Sequence, residues 1–274
     1  MMAPMTSPTT TTLAVANQKG GVAKTTSVAS LGAALAELGH SVLLVDLDPQ
    51  ACLTFSLGID PEDVEVSIHH VLTKGTHASE VIIETDDGVD LLPATIELAR
   101  AEADLLTRTG REQVLKAALA DLAEETAYDW VLLDCPPSLG VLTVAALTAG
   151  DGVLIPLQCE TLSHRGVGQL LDTVHDVRRF TNRDLEVWGV LPTLYDGRTN
   201  HARTVLETIS ETYDLDVIEP PIPKTIKFAE APAAGRSILA TSRSSKGAKA
   251  YREAAIHLVE RSRQPRRRRK PSTR

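Results

Sequence analysis

The sequence predicts an α/β fold, a single doubly wound and mostly parallel sheet with helices on both faces. Short uninterrupted apolar runs alternate with longer stretches in which apolar residues recur every three or four positions. The first pattern marks strands buried on both faces, the second amphipathic helices, and their alternation predicts parallel strands joined by helical crossovers. Aromatic residues are only 3% of the 274, so the core must be built from Leu, Val, Ile and Ala, which suits helices packed on a buried sheet.

In chain order, residues 13–17 (LAVAN) read as a strand, followed by a glycine-rich turn and an Ala/Leu-rich helix over 25–38 that stops at Gly39. Further strands are expected at 41–46, 129–134, 152–157 and 185–191. Helical spacing is found over 95–106, 111–124, 139–149, 166–179, 200–212 and 248–261, and residues 81–92 could add a strand or hairpin. The expected organisation is a disordered start over 1–11, one domain over 12–260 and a basic disordered tail over 261–274.

Charge is lopsided. Residues 261–274 hold seven Arg, one Lys and no acid, so a chain of formal charge −8 has a body of −16. That argues against a generic DNA-coating protein and for local contact with a polyanion. Cys52, Cys135 and Cys159 are far apart and form no C-x-x-C, which suggests neither a disulfide framework nor a sequence-local metal site. The Thr- and Pro-rich start is unlike a signal peptide, and no apolar run reaches about 18 residues, so a cytoplasmic protein without a membrane span is expected. His69 and His70, in an expected helix, read as surface and core rather than as a metal site.

The chemistry concentrates in three segments. Lys19-Gly20-Gly21-Val22-Ala23-Lys24-Thr25-Thr26 lies between a strand and a helix, where backbone N–H groups can turn around phosphate oxygens and Lys24 can reach them. Asp46 and Asp48 end the apolar run 42–45 and sit at a strand's carboxyl end, where open α/β sheets bind ligands. Asp134 ends the run 130–133 and precedes Cys135-Pro136-Pro137-Ser138. Taken alone, a strand-ending Asp is more often a helix cap or turn former.

Together these segments resemble the ParA, Soj and MinD ATPases, P-loop NTPases with a deviant Walker A. Asn17-Gln18-Lys19-Gly20-Gly21 with Lys24-Thr25-Thr26 is similar to that loop, and the early Lys19 is its hallmark. The resemblance extends over about residues 12–258 through 156–160 with Gly166, 189–193, 222–224 and 228–232. It implies ATP and Mg²⁺ as cofactors, and an ATP-bound homodimer in which Lys19 reaches the partner's nucleotide. Gly20, Gly21, Val22, Ala23, Lys24, Thr25 and Thr26 would hold phosphate. Thr25, Asp46 and Asp134 would serve the metal, Asp48 would orient the attacking water, and Thr193 and Pro223 would touch the adenine.

The implied task is slow ATP hydrolysis coupled to nonspecific DNA binding, in chromosome or plasmid partitioning with a ParB-like partner on the nucleoid. Arg198, Arg203, Lys224 and Lys227 are the DNA candidates, and the basic tail is an auxiliary one. Lys224 stands where the family usually has arginine. Ala23 stands where it usually has glycine, so if that position is left-handed the methyl costs about 1 kcal/mol and could slow hydrolysis. A non-catalytic, ATP-sensing adaptor or orphan regulator that positions a protein cargo remains the competing reading. An Arg- and Pro-rich end disfavours membrane targeting, and the cysteine spacing disfavours an iron–sulfur carrier.

Overall fold

The computed structural model describes residues 10–160 and 163–264. Among them seven strands form one sheet: β1 (Thr11–Val15), β2 (Val42–Asp46), β3 (Ile83–Glu84), β4 (Asp90–Leu92), β5 (Trp130–Asp134), β6 (Gly152–Gln158) and β7 (Glu186–Thr193). Their order is β3-β4-β2-β5-β1-β6-β7, with every pairing parallel except the β3–β4 edge. The stretch expected as a strand or hairpin is therefore a hairpin whose second arm joins β2.

The helices are α1 (Lys24–Glu37), α2 (Cys52–Ser56), α3 (Ile68–Lys74), α4 (Leu98–Leu106), α5 (Val114–Glu125), α6 (Val141–Ala149), α7 (Ser163–Phe180), α8 (Asn200–Tyr213), α9 (Lys227–Glu230), α10 (Ile238–Thr241) and α11 (Lys246–Ser262). Side chains alternate across each strand, so β2 feeds two cores. Leu43 and Val45 face the layer of α3 to α8, whereas Val42 and Leu44 face α1, α10 and α11. On the second face Ser27 Oγ and Tyr251 OH lie 3.0 Å apart, fully buried, and tie α1 to α11.

Two boundaries differ from the sequence reading. Thr11 belongs to the sheet, because its amide donates to the Asp129 carbonyl at 2.9 Å and Thr10 Oγ1 donates to that of Tyr128 at 2.7 Å. At the other end α11 continues through Arg261, whose guanidinium donates to Glu186 Oε2 at 2.9 Å; pairing with β7 extends the helix past the expected start of the tail. The remaining expectations for the start and the tail concern 1–9 and 265–274, which lie outside the described residues. Among the described residues no helix is long and apolar enough to cross a membrane.

Candidate functional site

The site grows from the carboxyl edge of the three central strands. After Val15 the chain keeps pairing for one residue, Ala16 N–H donating to the Leu154 carbonyl at 3.1 Å, and then turns. Buried Asn17 clamps that turn: its Nδ2 donates to the Pro156 carbonyl at 2.8 Å, and its Oδ1 accepts the Lys19 amide at 2.9 Å. Gly21 has φ 74°, and nothing lies within 4 Å of where a Cβ would stand, so glycine is favoured there by backbone conformation alone.

Ala23, the residue before α1, has φ 63° and ψ 37°, the left-handed conformation that alanine adopts at a cost. The condition attached to this residue in the sequence is thus met. Ala51, before α2, repeats the feature at φ 51° and ψ 33°. Both loops that frame the site enter their helices through a left-handed alanine.

Lys24 is 7% exposed, with Nζ 3.3 Å from the Lys19 carbonyl. Burial lowers its pKa, opposed by the charges of Asp134, Cys135 and Asp48. The loop is braced from β7: Thr193, fully buried, donates its hydroxyl to the Val22 carbonyl at 2.9 Å. Half-buried Pro223 bridges to Tyr195 just beyond the end of β7.

Parallel register sets Asp46 and Asp134 side by side at the ends of β2 and β5, both without solvent exposure. Asp46 Oδ2 accepts the Thr54 amide at 2.9 Å and the Thr54 hydroxyl at 2.8 Å, and its Oδ1 accepts the Asp48 amide at 3.1 Å. Burial pushes Asp46 up to about 6 against these donors. Asp134 is raised well above the carboxylate range, first by burial and then by the Asp46 charge; Thr25 and Lys24 pull the other way. Its oxygens make no hydrogen bond of full geometry, and the Thr25 hydroxyl is the one donor that acts on them.

Two buried carboxylates and the Thr25 hydroxyl form an all-oxygen donor set that fits a hard divalent cation, with the Lys24 charge close by. Thr25, Asp46 and Asp134 are the residues that would hold it. Asp48, half-buried, accepts the Gln50 amide at 2.9 Å through Oδ1.

The Lys19 side chain is paired outside its own loop. Its Nζ donates to Glu160 Oε2 at 2.5 Å, with a third of the lysine side chain exposed. Asn17 and Glu160 were in the segments singled out in the sequence but carried no role there. Thr54 and Ala51 were not singled out, because a contact to Asp46 eight residues earlier and a left-handed alanine leave no mark in residue type.

The DNA candidates are partly brought together. The Tyr195–Pro223 bridge puts the loops of Arg198 and Lys224 side by side, close enough for both to hold Asp196 down at about 2, Arg198 more strongly. Exposed Arg203 lies on α8 nearby in sequence. Arg198 makes two bonds to Asp196, at 2.9 and 2.8 Å, and Lys227 pairs with Glu230 at 2.7 Å, so two of the four cations already face an acid.

A phosphate-type loop between the first strand and helix, with carboxylates at the ends of two neighbouring parallel strands, defines a P-loop NTPase fold. A family model described as an AAA domain matches residues 10–187. Soj of Bacillus subtilis, the sporulation initiation inhibitor protein, is 43% identical over 90% of this chain and 97% of its own. The chromosome partitioning protein ParA of Caulobacter vibrioides is 38% identical over 92% of this chain and 94% of its own. A Mycobacterium smegmatis structure described as cobyrinic acid a,c-diamide synthase, with bound ADP and magnesium, superposes with a TM-score of 0.83 at 56% identity, covering 93% of this chain and 96% of that one. The chain belongs to the ParA/Soj family of partitioning ATPases.

Proposed function

We propose that this protein is an ATP-dependent dimerising switch. It binds ATP with Mg²⁺ and hydrolyses it slowly, and as a dimer it holds DNA without sequence preference. Its task is chromosome or plasmid partitioning with a ParB-like partner, on the nucleoid in the cytoplasm. The observation that carries the reading is the division of the two loop lysines: Lys24 is buried beside the carboxylates, while Lys19 stands at the outer rim, paired with Glu160. A lysine inside the loop can neutralise the chain's own nucleotide; one at the rim can serve a second copy's, as an arginine finger supplied in trans does.

When bound, the metal neutralises phosphate charge. The chain's residues do the rest. Backbone N–H groups of the loop and Lys24 hold the phosphates, Asp48 aligns water, and the cations near Tyr195 and Pro223 meet the DNA backbone. Alignment matters more than basicity here, since phosphoryl transfer depends chiefly on positioning and charge neutralisation.

The test is ATP turnover of the wild type and of Asp48→Ala, with and without nonspecific DNA, alongside dimerisation by light scattering. Slow turnover abolished by Asp48→Ala, with an ATP-dependent dimer that retains DNA, is the expected result. ATP binding without turnover or dimerisation would reject it in favour of an ATP-sensing adaptor.

The 56% identical M. smegmatis structure raises a second reading, ATP-driven amide formation on a polycarboxylate. A thiol that releases nitrogen from an amide donor needs a depressed pKa. Here burial raises Cys52, Cys135 and Cys159, the last to about 11. Turnover stimulated by cobyrinic acid and an amide donor, but not by DNA, would select that reading.

A further inference from the structure

We propose that Thr54 is a positioning residue for Asp46, holding the metal-site carboxylate in one orientation and linking it to the end of β4. The proposal rests on the nucleotide-switch reading above. Thr54 is fully buried, and its hydroxyl oxygen makes two contacts of opposite sense. It lies 3.0 Å from the Ala94 amide nitrogen and 2.8 Å from Asp46 Oδ2. A backbone N–H can only donate, so the oxygen accepts from Ala94 and its single proton is directed to Asp46.

The Thr54 amide donates to the same Asp46 oxygen at 2.9 Å, and the Asp48 amide holds the other. Asp46 therefore has a donor on each oxygen, whereas its neighbour Asp134, acted on by the Thr25 hydroxyl alone, makes no hydrogen bond of full geometry. One carboxylate is fixed by the protein and the other is left open to the cation, which is how outer partners orient a metal site.

The link also has a direction. Thr54 lies on α2, in the segment that begins at Asp48, and Ala94 follows β4, whose Leu92 pairs with Val45 of β2. Next to Ala94, the Pro93 carbonyl accepts the Ile68 amide at 2.9 Å, which carries the link to the first residue of α3. A shift of the 48–57 segment relative to the sheet edge must therefore break or keep this hydroxyl bridge, and with it the orientation of Asp46.

Thr54→Val keeps the shape but removes the proton and leaves the Ala94 amide without its acceptor; Thr54→Ser restores the hydroxyl. Binding of a fluorescent, non-hydrolysable ATP analogue is titrated with Mg²⁺ for wild type and both variants, and turnover is measured at saturating ATP. Thr54→Val should need roughly tenfold more Mg²⁺ for half-maximal effect, or lose turnover by a similar factor. Its metal-free nucleotide affinity should be unchanged, and Thr54→Ser should stay within about threefold of wild type.

A purely structural role predicts lower melting temperature with wild-type Mg²⁺ dependence, and that result would overturn the proposal. So would a Thr54→Ser variant as impaired as Thr54→Val. If Thr54→Val does not fold, Thr54→Ala is read in its place by the same criteria. A wild type that binds no nucleotide would overturn the switch reading and this proposal together, whereas normal wild-type binding with an indifferent Thr54→Val overturns only the latter.

Discussion

Replacing Ala23, the residue that caps the start of α1, by glycine should stabilise the ligand-free protein. At φ 63° an L side chain costs about 1–2 kcal/mol, all of which glycine relieves. Against this stands the greater freedom of glycine in the unfolded chain, about 0.4–1 kcal/mol. Ala23 is only half-buried, so little packing is lost with its methyl. The net gain is about 0.5–1 kcal/mol, roughly 2 °C in melting temperature for a chain of this size.

Ala51 supplies the internal control. Its backbone is equally left-handed, but it is 3% exposed in the core, and losing a buried methyl costs about 0.8 kcal/mol more. Ala51→Gly should therefore be near neutral, and Ala23→Val, which puts a β-branched side chain into the left-handed region, should lose at least about 1 kcal/mol. Differential scanning calorimetry of the three variants without nucleotide decides the matter. A lower melting temperature for Ala23→Gly together with an unchanged Ala23→Val would refute the strain argument. Faster turnover by Ala23→Gly at unchanged ATP affinity would extend it to hydrolysis.

Three further outcomes follow from the same geometry. Asp46 binds a proton up to about pH 6 in the native state, whereas an unfolded aspartate releases it near pH 4, so the native state holds more protons in that window. Stability of the nucleotide-free protein must therefore fall as pH rises through it. The Asp134 pKa is raised too, first by burial, so Asp134→Asn should remove that residue's own part of the decline and raise the melting temperature at pH 7.5 while weakening Mg²⁺-dependent nucleotide binding; a melting temperature lowered at pH 7.5 would contradict the burial cost inferred for Asp134. Glu160→Gln should leave stability within about 1 kcal/mol, because the Lys19 pair is exposed, yet raise the dimer fraction at limiting ATP in sedimentation experiments. Tyr251→Phe leaves the buried Ser27 hydroxyl unpaired and should cost about 1–2 kcal/mol in urea unfolding, with Ser27→Ala/Tyr251→Phe less than additive.

The five main parallel strands were legible because each is a short apolar run ending in a turn or a carboxylate, and burial on both faces leaves no polar position to blur the signal. The phosphate loop was legible for a different reason: its glycines and lysines are each demanded by chemistry close by in sequence. Asp46 and Asp134 could be placed at strand ends but not beside one another, since their adjacency comes from the β2–β5 register across 88 residues. Thr193 was named only through the family resemblance, and nothing in its residue type foretold that its hydroxyl braces the Val22 carbonyl from the end of β7. Thr54 shares its type with many surface threonines, and only the close approach of β4 gives its oxygen a second partner. The five-residue α2 carries no capping signal, because Ala51 offers no side-chain acceptor.

The arrangement also supplies an energetic basis for the proposed switch. Asp46 and Asp134 are desolvated against one another, and Lys24 is buried where its charge is penalised. Each term destabilises the ligand-free protein and is relieved when a cation meets the carboxylates and phosphate meets the lysine. Ligand binding must therefore stabilise the fold around the 48–57 segment and the loop together, by an amount that grows with ligand concentration. A ligand shifts a conformational equilibrium only by its differential affinity, and here that difference is built from buried charge rather than from new apolar contact. The shift should accordingly shrink when Asp134 is made neutral, so that at fixed ATP and Mg²⁺ concentrations Asp134→Asn shows a smaller nucleotide-induced rise in melting temperature than the wild type, in step with its weaker binding.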